Sequence, residues 1–239
     1  MPLVESVVCS VSDAVAAERC GAGRLELCST IELGGLTPSL GLCRAVLDSV
    51  HVPVMAMVRP RAGRFCYTES EIDTMVRDIE ALVATGVQGV VFGALDSGGK
   101  VDISANSRLI AAAGRAETIF HRAIDTTPDP LEALAAIIAL GFTRVLTSGG
   151  APDAVAGAVA LRRMYELADG RIELMPGGGM RPHNLAEFLR QVPADQIHLG
   201  PFRRVGQHSG AYGNGYMVLD EDVLAETIHC ARNLESQPW

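Results

Sequence analysis

The chain has 239 residues, of which 48% are hydrophobic and 20% are charged, and its formal net charge is −8 at pH 7. This length and composition predict a folded protein with a substantial core and exclude a disordered segment. The acidic balance argues against a general nucleic-acid binder, although a local basic pocket remains compatible with it.

Short apolar runs alternate with amphipathic helical segments about eight times along the chain. The runs are mostly continuous in hydrophobicity, which is typical of parallel strands covered by helices on their outer side. Eight strand–helix units in 239 residues favour a single (β/α)8 TIM-type barrel of the α/β class spanning residues 1–239, with an open doubly wound sheet as the alternative. The predicted strands are 3–9, 24–28, 54–58, 89–92, 118–121, 144–147, 172–175 and 197–199.

Capping residues predict where several helices begin. Thr68 and Glu71 have the spacing of a capping box, and Asp129 precedes a proline at the first position of the next predicted helix. Asn184, followed three residues later by Glu187, predicts another helix start at Asn184.

Residues 201–219 interrupt this rhythm, since they contain four glycines and show neither a helical nor a strand period. We expect a long loop after the last strand, on the barrel face where functional sites lie, followed by a C-terminal helix over 220–235.

The sequence indicates a cytoplasmic protein. No stretch of 18 uncharged apolar residues predicts a membrane span, and the N-terminus lacks the pattern of a signal peptide. The six cysteines are spread without paired spacing, which favours reduced thiols over a disulfide framework.

Titratable side chains stand at the carboxyl ends of several predicted strands, where barrel enzymes keep their catalytic groups. His121, at the end of the fifth strand, is the best candidate for acid–base chemistry, with Glu26 and Asp125 as further proton-transfer groups and Arg59 as the group that would hold an anionic substrate. A core histidine that donates to a carboxylate is the alternative role for His121. Glu5 also lies within an apolar strand, and Arg59 or His121 are the available partners for these buried carboxylates. A satisfied polar layer inside the barrel is the alternative role, above all for Glu5.

Glycine-rich turns follow the sixth and seventh strands. Such turns allow backbone N–H groups to converge on an anion, and barrel phosphate sites often lie after strands seven and eight. The candidate anion-binding residues are Arg61, Ser148, Gly149, Gly150, Gly177, Gly178 and Gly179. Tight strand–helix turns without a ligand are the alternative.

Cys9 and Cys28 end two consecutive strands, which lie about 4.8 Å apart if they pair as neighbours. Soft thiolates select Cu(I) or zinc, so this pair is the candidate metal site, with Cys66 as a weaker third ligand. Small buried cysteines without a metal are the alternative.

Several unusual blocks in order resemble the CutC family of copper homeostasis proteins: 21–28 (GAGRLELC), 34–39 (GGLTPS), 58–61 (VRPR), 91–95 (VFGAL), 120–123 (FHRA) and 146–150 (LTSGG). The resemblance covers about residues 4–198. It implies a cytosolic, usually homo-oligomeric barrel linked to copper handling. It also implies Cu(I) binding through cysteines, for which Cys9 and Cys28 are the matching positions.

Two classes of function remain open at this point, and whether the chain is an enzyme stays undecided. The resemblance favours a copper homeostasis protein with Cu(I) as its ligand. The strand-end residues favour an enzyme acting on a small anionic metabolite, such as a phosphorylated one, because a copper carrier has no evident use for Arg59, His121 and Asp125 together. Neither reading involves nucleic acid or a membrane as partner.

Overall fold

The structure is a computed structural model that describes residues 2–209 and 214–233. Within these ranges, parallel strands alternate with α-helices. The strands of the main sheet are β1 (Leu3–Val8), β2 (Arg24–Leu27), β3 (Val54–Met57), β4 (Gly89–Phe92), β5 (Glu117–Phe120), β6 (Arg144–Thr147), β7 (Glu173–Pro176) and β8 (Gln196–Leu199). The helices are α1 (Val11–Cys20), α2 (Leu40–Leu47), α3 (Glu69–Val83), α4 (Ile103–Ala113), α5 (Pro130–Leu140), α6 (Ala158–Ala168), α7 (Pro182–Gln191) and α8 (Glu221–Asn233).

The main sheet curls into a nearly closed ring. Its strands pair in parallel in the order β7-β6-β5-β4-β3-β2-β1-β8. At the remaining edge Gly177, which follows β7, forms a parallel bridge with His198 of β8. This bridge joins the two ends of the strand order, so the sheet closes on itself, whereas a doubly wound sheet stays open. The predicted (β/α)8 barrel is confirmed.

Both faces of the strands are covered, which explains their continuous apolar runs. On β2, Leu25 and Leu27 pack outward against the helices, whereas Glu26 and Cys28 point into the ring. Because side chains alternate along a strand, every second residue reaches the interior. The apolar part of that interior contains Val7, Cys28, Met55, Met57, Val91, Ile119, Leu146 and Met175.

Helix starts follow the capping residues in two of the three predicted cases. Thr68 accepts a hydrogen bond from the Glu71 backbone N–H, and the Glu71 carboxylate accepts from that of Thr68. Asp129 caps α5 in the predicted way. The prediction that Asn184 is an N-cap is wrong: α7 begins two residues earlier, at Pro182. The Asn184 side chain instead reaches back to accept from the N–H of Arg181.

The predicted loop over residues 201–219 is in part a hairpin, so that expectation needs correction. β9 (Phe202–Val205) and β10 (Tyr216–Leu219) pair in antiparallel fashion. The Leu219 backbone N–H donates to the buried carboxylate of Asp13 on α1, which ties the hairpin to the barrel. Residues 210–213 of this segment, and residues 234–235 of the predicted C-terminal helix, lie outside the described residues.

The helices in the described ranges are too short or too polar to cross a bilayer.

Candidate functional site

One cavity of about 250 Å³ opens at the carboxyl ends of the strands. Seven of the eight strands, or the segments that follow them, contribute to its wall. Polar and apolar side chains share the lining, which suits a small polar ligand. The lining residues are Val7, Glu26, Cys28, Ile31, Gly34, Gly35, Met57, Arg59, Phe65, His121, Arg122, Leu146, Gly178, Gly179, Met180, Arg181, His198, Leu199 and Gly200.

Three titratable side chains form a compact group inside the barrel, below the mouth of the cavity. Glu5, Glu26 and His198 each place one ligand-type atom within 4.8 Å of the others. They come from β1, β2 and β8, which are neighbours in the ring, and Glu5 is in register with His198. Strand order and register therefore bring together residues that are up to 193 positions apart.

Glu5 is fully engaged by two partners. Its carboxylate bonds the Nε of Arg24 on one side and the Nδ1 of His198, 2.8 Å away, on the other. Burial alone raises the pKa of Glu5, but the hydrogen bond and charge of His198, with the charge of Arg24, outweigh it and hold the pKa at about 2. The prediction that Arg59 or His121 is the partner of this carboxylate is therefore wrong.

Glu26 is buried without a comparable partner. It is 3% exposed, and its Oε2 has no hydrogen-bond partner among the described residues. Burial raises the pKa of Glu26 to about 7, despite the opposing charge of His198. A carboxylate in this state is suited to proton transfer or to holding a cation.

His198 lies between these two carboxylates. Burial by itself lowers the pKa of its imidazole, but the charge of Glu26 and the hydrogen bond with Glu5 raise the pKa above its ordinary value. Since Nδ1 is bonded to Glu5, Nε2 is the nitrogen left for a ligand in the cavity.

His121 and Arg59 are further side chains of the cavity wall. Nδ1 of His121 accepts from the Ala123 backbone N–H, and its buried Nε2 has no hydrogen-bond partner within the part of the chain that the structure describes. Burial, helped by the charge of Arg59, lowers the pKa of His121 to about 3, so the ring is neutral. Arg59 donates to the carbonyls of Leu33, Gly35 and Gly63 and forms no ion pair with any carboxylate of the described residues.

The two strand-end thiols lie side by side, and Cys28 lines the same cavity whereas Cys9 does not. Sγ of Cys9 lies 3.5 Å from Sγ of Cys28, and both cysteines are free. Gly35 packs on this pair with φ of +81°, and a Cβ at that position would lie 3.3 Å from Sγ of Cys28. The hydrogen bond with Cys9, together with burial, raises the pKa of the Cys28 thiol. Cys66 lines a different cavity, beside Gly63 and Leu95.

Several predicted site residues support the loops and do not line the cavity. Asp125 accepts from Thr147 Oγ1, from the backbone N–H groups of Ser148 and Gly150, and from Arg122. Its carboxylate therefore fastens the turn after β6. Ser148, Gly149, Gly150 and Gly177 also lie outside the lining, whereas Gly178 and Gly179 belong to it.

Arg61 lies apart from the cavity as well. Its guanidinium binds Glu71 of the α3 capping box and the carbonyls of Arg64 and Cys66. Arg59 and Arg61 therefore cannot bind one anion together, because their guanidinium groups are hydrogen-bonded to different segments of the chain.

The sequence pattern placed His198 and Arg122 at strand ends without indicating a role for either, and it indicated a mainly structural role for Glu5. One signal for His198 was present: it sits in the last strand among apolar residues, as His121 sits at the end of the fifth. Its significance depends on pairing between the first and last strands, which no local pattern reports.

Comparison with known proteins gives a consistent family. The CutC family model matches residues 3–202. A CutC family protein of Treponema denticola is 46% identical over 226 residues, which is 92% of each chain. The human copper homeostasis protein cutC homolog is 44% identical over 196 residues, covering 82% of this chain and 72% of that protein. The crystal structure of the CutC protein from Streptococcus agalactiae superposes with a TM-score of 0.79 at 30% identity, covering 84% of this chain and 98% of that one.

Proposed function

The chain belongs to the CutC family, and we propose that it is a cytoplasmic copper homeostasis protein that binds Cu(I) between the thiolates of Cys9 and Cys28. The observation behind the proposal is the distance of 3.5 Å between the two Sγ atoms. Metal–thiolate bonds of about 2.3 Å span up to about 4.6 Å between two sulfurs, so both thiolates can reach one ion.

The surroundings of the thiol pair suit a soft ion. Cys28 is buried among apolar side chains and methionines of the barrel interior, and Met57 shares the cavity wall with it. Thiolates and thioethers together select Cu(I) over harder cations. Because the pKa of Cys28 is raised in the metal-free protein, metal binding must displace the thiol protons.

Cellular context and assembly are part of the same proposal. Free thiols at all six cysteines match a reducing compartment. Two sulfurs leave Cu(I) open to a further donor, which Met57 or a second copy of the chain would supply in a homo-oligomer.

An anaerobic competition titration with a chromogenic Cu(I) chelator tests the copper site. We expect Cys9→Ser and Cys28→Ser each to lower the Cu(I) affinity at least tenfold, and the double variant to lose the site. Cys230→Ser, which changes a free thiol on α8, is the matched control and should leave the affinity unchanged. A double variant that binds Cu(I) as tightly as the parent removes these thiols from consideration.

A second candidate function is an acid–base enzyme acting on a small anionic metabolite, such as a phosphorylated one. A specific observation favours it: Arg59 is a buried guanidinium with no carboxylate partner in residues 2–209 and 214–233, and Glu26 and His121 line the same cavity. An anion held near Arg59, with Gly178 and Gly179 on the facing wall, would lie within reach of both.

Thermal-shift measurements with inorganic phosphate and a panel of small phosphorylated and carboxylated metabolites test the enzyme hypothesis. A compound that raises Tm in the parent should lose its effect in Arg59→Met and in Glu26→Gln. The exposed Glu32→Gln variant is the control and should respond like the parent. Equal shifts in the parent and in Arg59→Met would place the anion elsewhere.

A further inference from the structure

We propose that Glu26 and His198 form a second metal site, separate from the thiol pair, for a divalent first-row transition-metal ion, and that Glu5 orients the histidine. This proposal goes beyond the copper function and does not depend on it.

The donor set is already assembled inside the barrel. One ligand-type atom from each of Glu5, Glu26 and His198 lies within 4.8 Å of the other two. Metal bonds of about 2.0–2.2 Å to oxygen and nitrogen bridge donors up to about 4.4 Å apart, so a small side-chain adjustment closes the site. Among the described residues, this is the only group of three or more such side chains whose ligand atoms all lie within 4.8 Å of one another.

An unpartnered oxygen points to a missing ligand. Glu26 Oε2 is buried and lacks any hydrogen-bond partner in the described residues, while the side chain lines the cavity. A buried carboxylate without a partner is costly, and a coordinated cation removes that cost.

The arrangement of Glu5 and His198 matches the support that metal-binding histidines need. Glu5 holds Nδ1 at 2.8 Å, which fixes the ring and leaves Nε2 for a metal, whose binding releases the Nε2 proton of the charged ring. Arg24 in turn bonds Glu5, so that carboxylate is fixed on both sides. Glu5 is therefore a positioning residue, and Glu26 and His198 are the proposed ligands.

The chemistry of these donors differs from that of the thiols. Imidazole nitrogen and carboxylate oxygen suit Zn²⁺, Fe²⁺ or Mn²⁺, whereas two thiolates suit Cu(I). Glu26 lies on β2 and Cys28 directly follows that strand, two positions further along an extended chain, which separates their Cα atoms by about 6–7 Å. The two metals can therefore be told apart by their ligands.

Co²⁺ titration of the purified, metal-free full-length protein tests the site, because cobalt absorption reports its ligands. We expect saturable binding of one Co²⁺ without a thiolate-to-cobalt charge-transfer band. Glu26→Gln and His198→Gln should each weaken the affinity at least tenfold, and Glu5→Gln by about 10–100-fold. The Cys9→Ser/Cys28→Ser double variant and the exposed Glu32→Gln variant should bind as the parent does.

A readout in the parent protein keeps the test independent of how the variants fold. Co²⁺ should shift the imidazole NMR signal of His198 far more than that of the exposed His183. The proposal is overturned if the parent shows no saturable binding, if the His198 signal does not move, or if folded Glu26→Gln keeps the parent affinity. A charge-transfer band that disappears in the cysteine variant would also overturn it, since the metal would then sit on the thiols.

Discussion

Glu5 and His198 face each other in register across the pairing of the first and last strands and are joined by a 2.8 Å hydrogen bond. His198 also forms the parallel bridge to Gly177 after β7. His198 therefore takes part both in closing the ring of strands and in lining the cavity. A change at Glu5 is expected to affect both stability and ligand binding.

Glu5→Gln should lower the free energy of unfolding by about 3 kcal/mol at pH 7, because it leaves the buried Arg24 and His198 without their anion. The folded pKa of Glu5, about 2, is below the ordinary value of 4.5. The folded state therefore holds fewer protons in that range, and the contribution of Glu5 is complete above about pH 5 and declines as the pH falls toward 2.

Urea unfolding of parent and variant at pH 7, 5, 4 and 3 measures this contribution. The difference between them should shrink steadily over the acidic points, while the exposed Glu32→Gln variant stays close to the parent throughout. A difference that is independent of pH would show that Glu5 acts through packing and not through its charge.

Gly35→Ala should weaken Cu(I) binding in addition to lowering stability. Its positive φ costs a non-glycine residue about 1–2 kcal/mol, and the new Cβ would lie 3.3 Å from the Cys28 sulfur. Gly86→Ala is the matched control, because Gly86 also has a positive φ but no atom lies within 4 Å of its added Cβ. Both variants should lose similar stability in urea, and only Gly35→Ala should bind Cu(I) less tightly. Equal copper affinities would mean that the thiol pair tolerates the added methyl group.

His121 should stay neutral down to about pH 4, because burial and the charge of Arg59 lower its pKa to about 3. Its imidazole NMR shifts should be constant between pH 8 and 5, where a histidine in an unfolded chain titrates near 6.5. Since the folded pKa is the lower one, His121 contributes stability above pH 6.5 that is lost as the pH falls. His121→Gln should therefore have a flatter stability profile than the parent between pH 6.5 and 5. An NMR titration of His121 within that interval would contradict the assignment.

The strand-end residues could be predicted because the barrel fixes where strands end. Once the alternation of strands and helices is recognised, Glu26, Arg59 and His121 must approach one rim, and all three line the cavity. The closeness of Cys9 and Cys28 follows from the same logic, since they end neighbouring parallel strands.

The local sequence does not report which way a loop side chain turns. Arg61 follows Arg59 by two residues, yet it binds Glu71 because the start of α3 lies beside it. The pairing of Glu5 with His198 depends on closure between strands at opposite ends of the chain. The hairpin after β8 was missed because β9 has two adjacent arginines and no buried apolar run, and a glycine-rich segment separates it from β10.

The Asp125→Asn variant distinguishes a structural role of Asp125 from a catalytic one, because asparagine has nearly the same shape as aspartate but carries no charge. In the parent, Asp125 Oδ1 accepts from Thr147 Oγ1 at 2.6 Å and from the Gly150 N–H at 3.0 Å, and Oδ2 accepts from Arg122 Nε at 2.8 Å. An asparagine side chain has only one oxygen to accept these hydrogen bonds. Its NH2 group must therefore face one of the donors, and that donor loses its acceptor. We expect a loss of about 2 kcal/mol in the free energy of unfolding, measured in urea.

The same Asp125→Asn variant should bind Cu(I) and Co²⁺ within twofold of the parent, because Asp125 does not line the cavity. Its loss of stability should be accompanied by faster amide hydrogen exchange in the turn after β6, where Ser148 and Gly150 lose their acceptor. If the variant were instead as stable as the parent but no longer responded to an anion that raises the Tm of the parent, Asp125 would belong to the ligand site. Asp125 would then contact the ligand in addition to holding this turn. That result would support its predicted part in acid–base chemistry, although it is not among the residues that line the cavity.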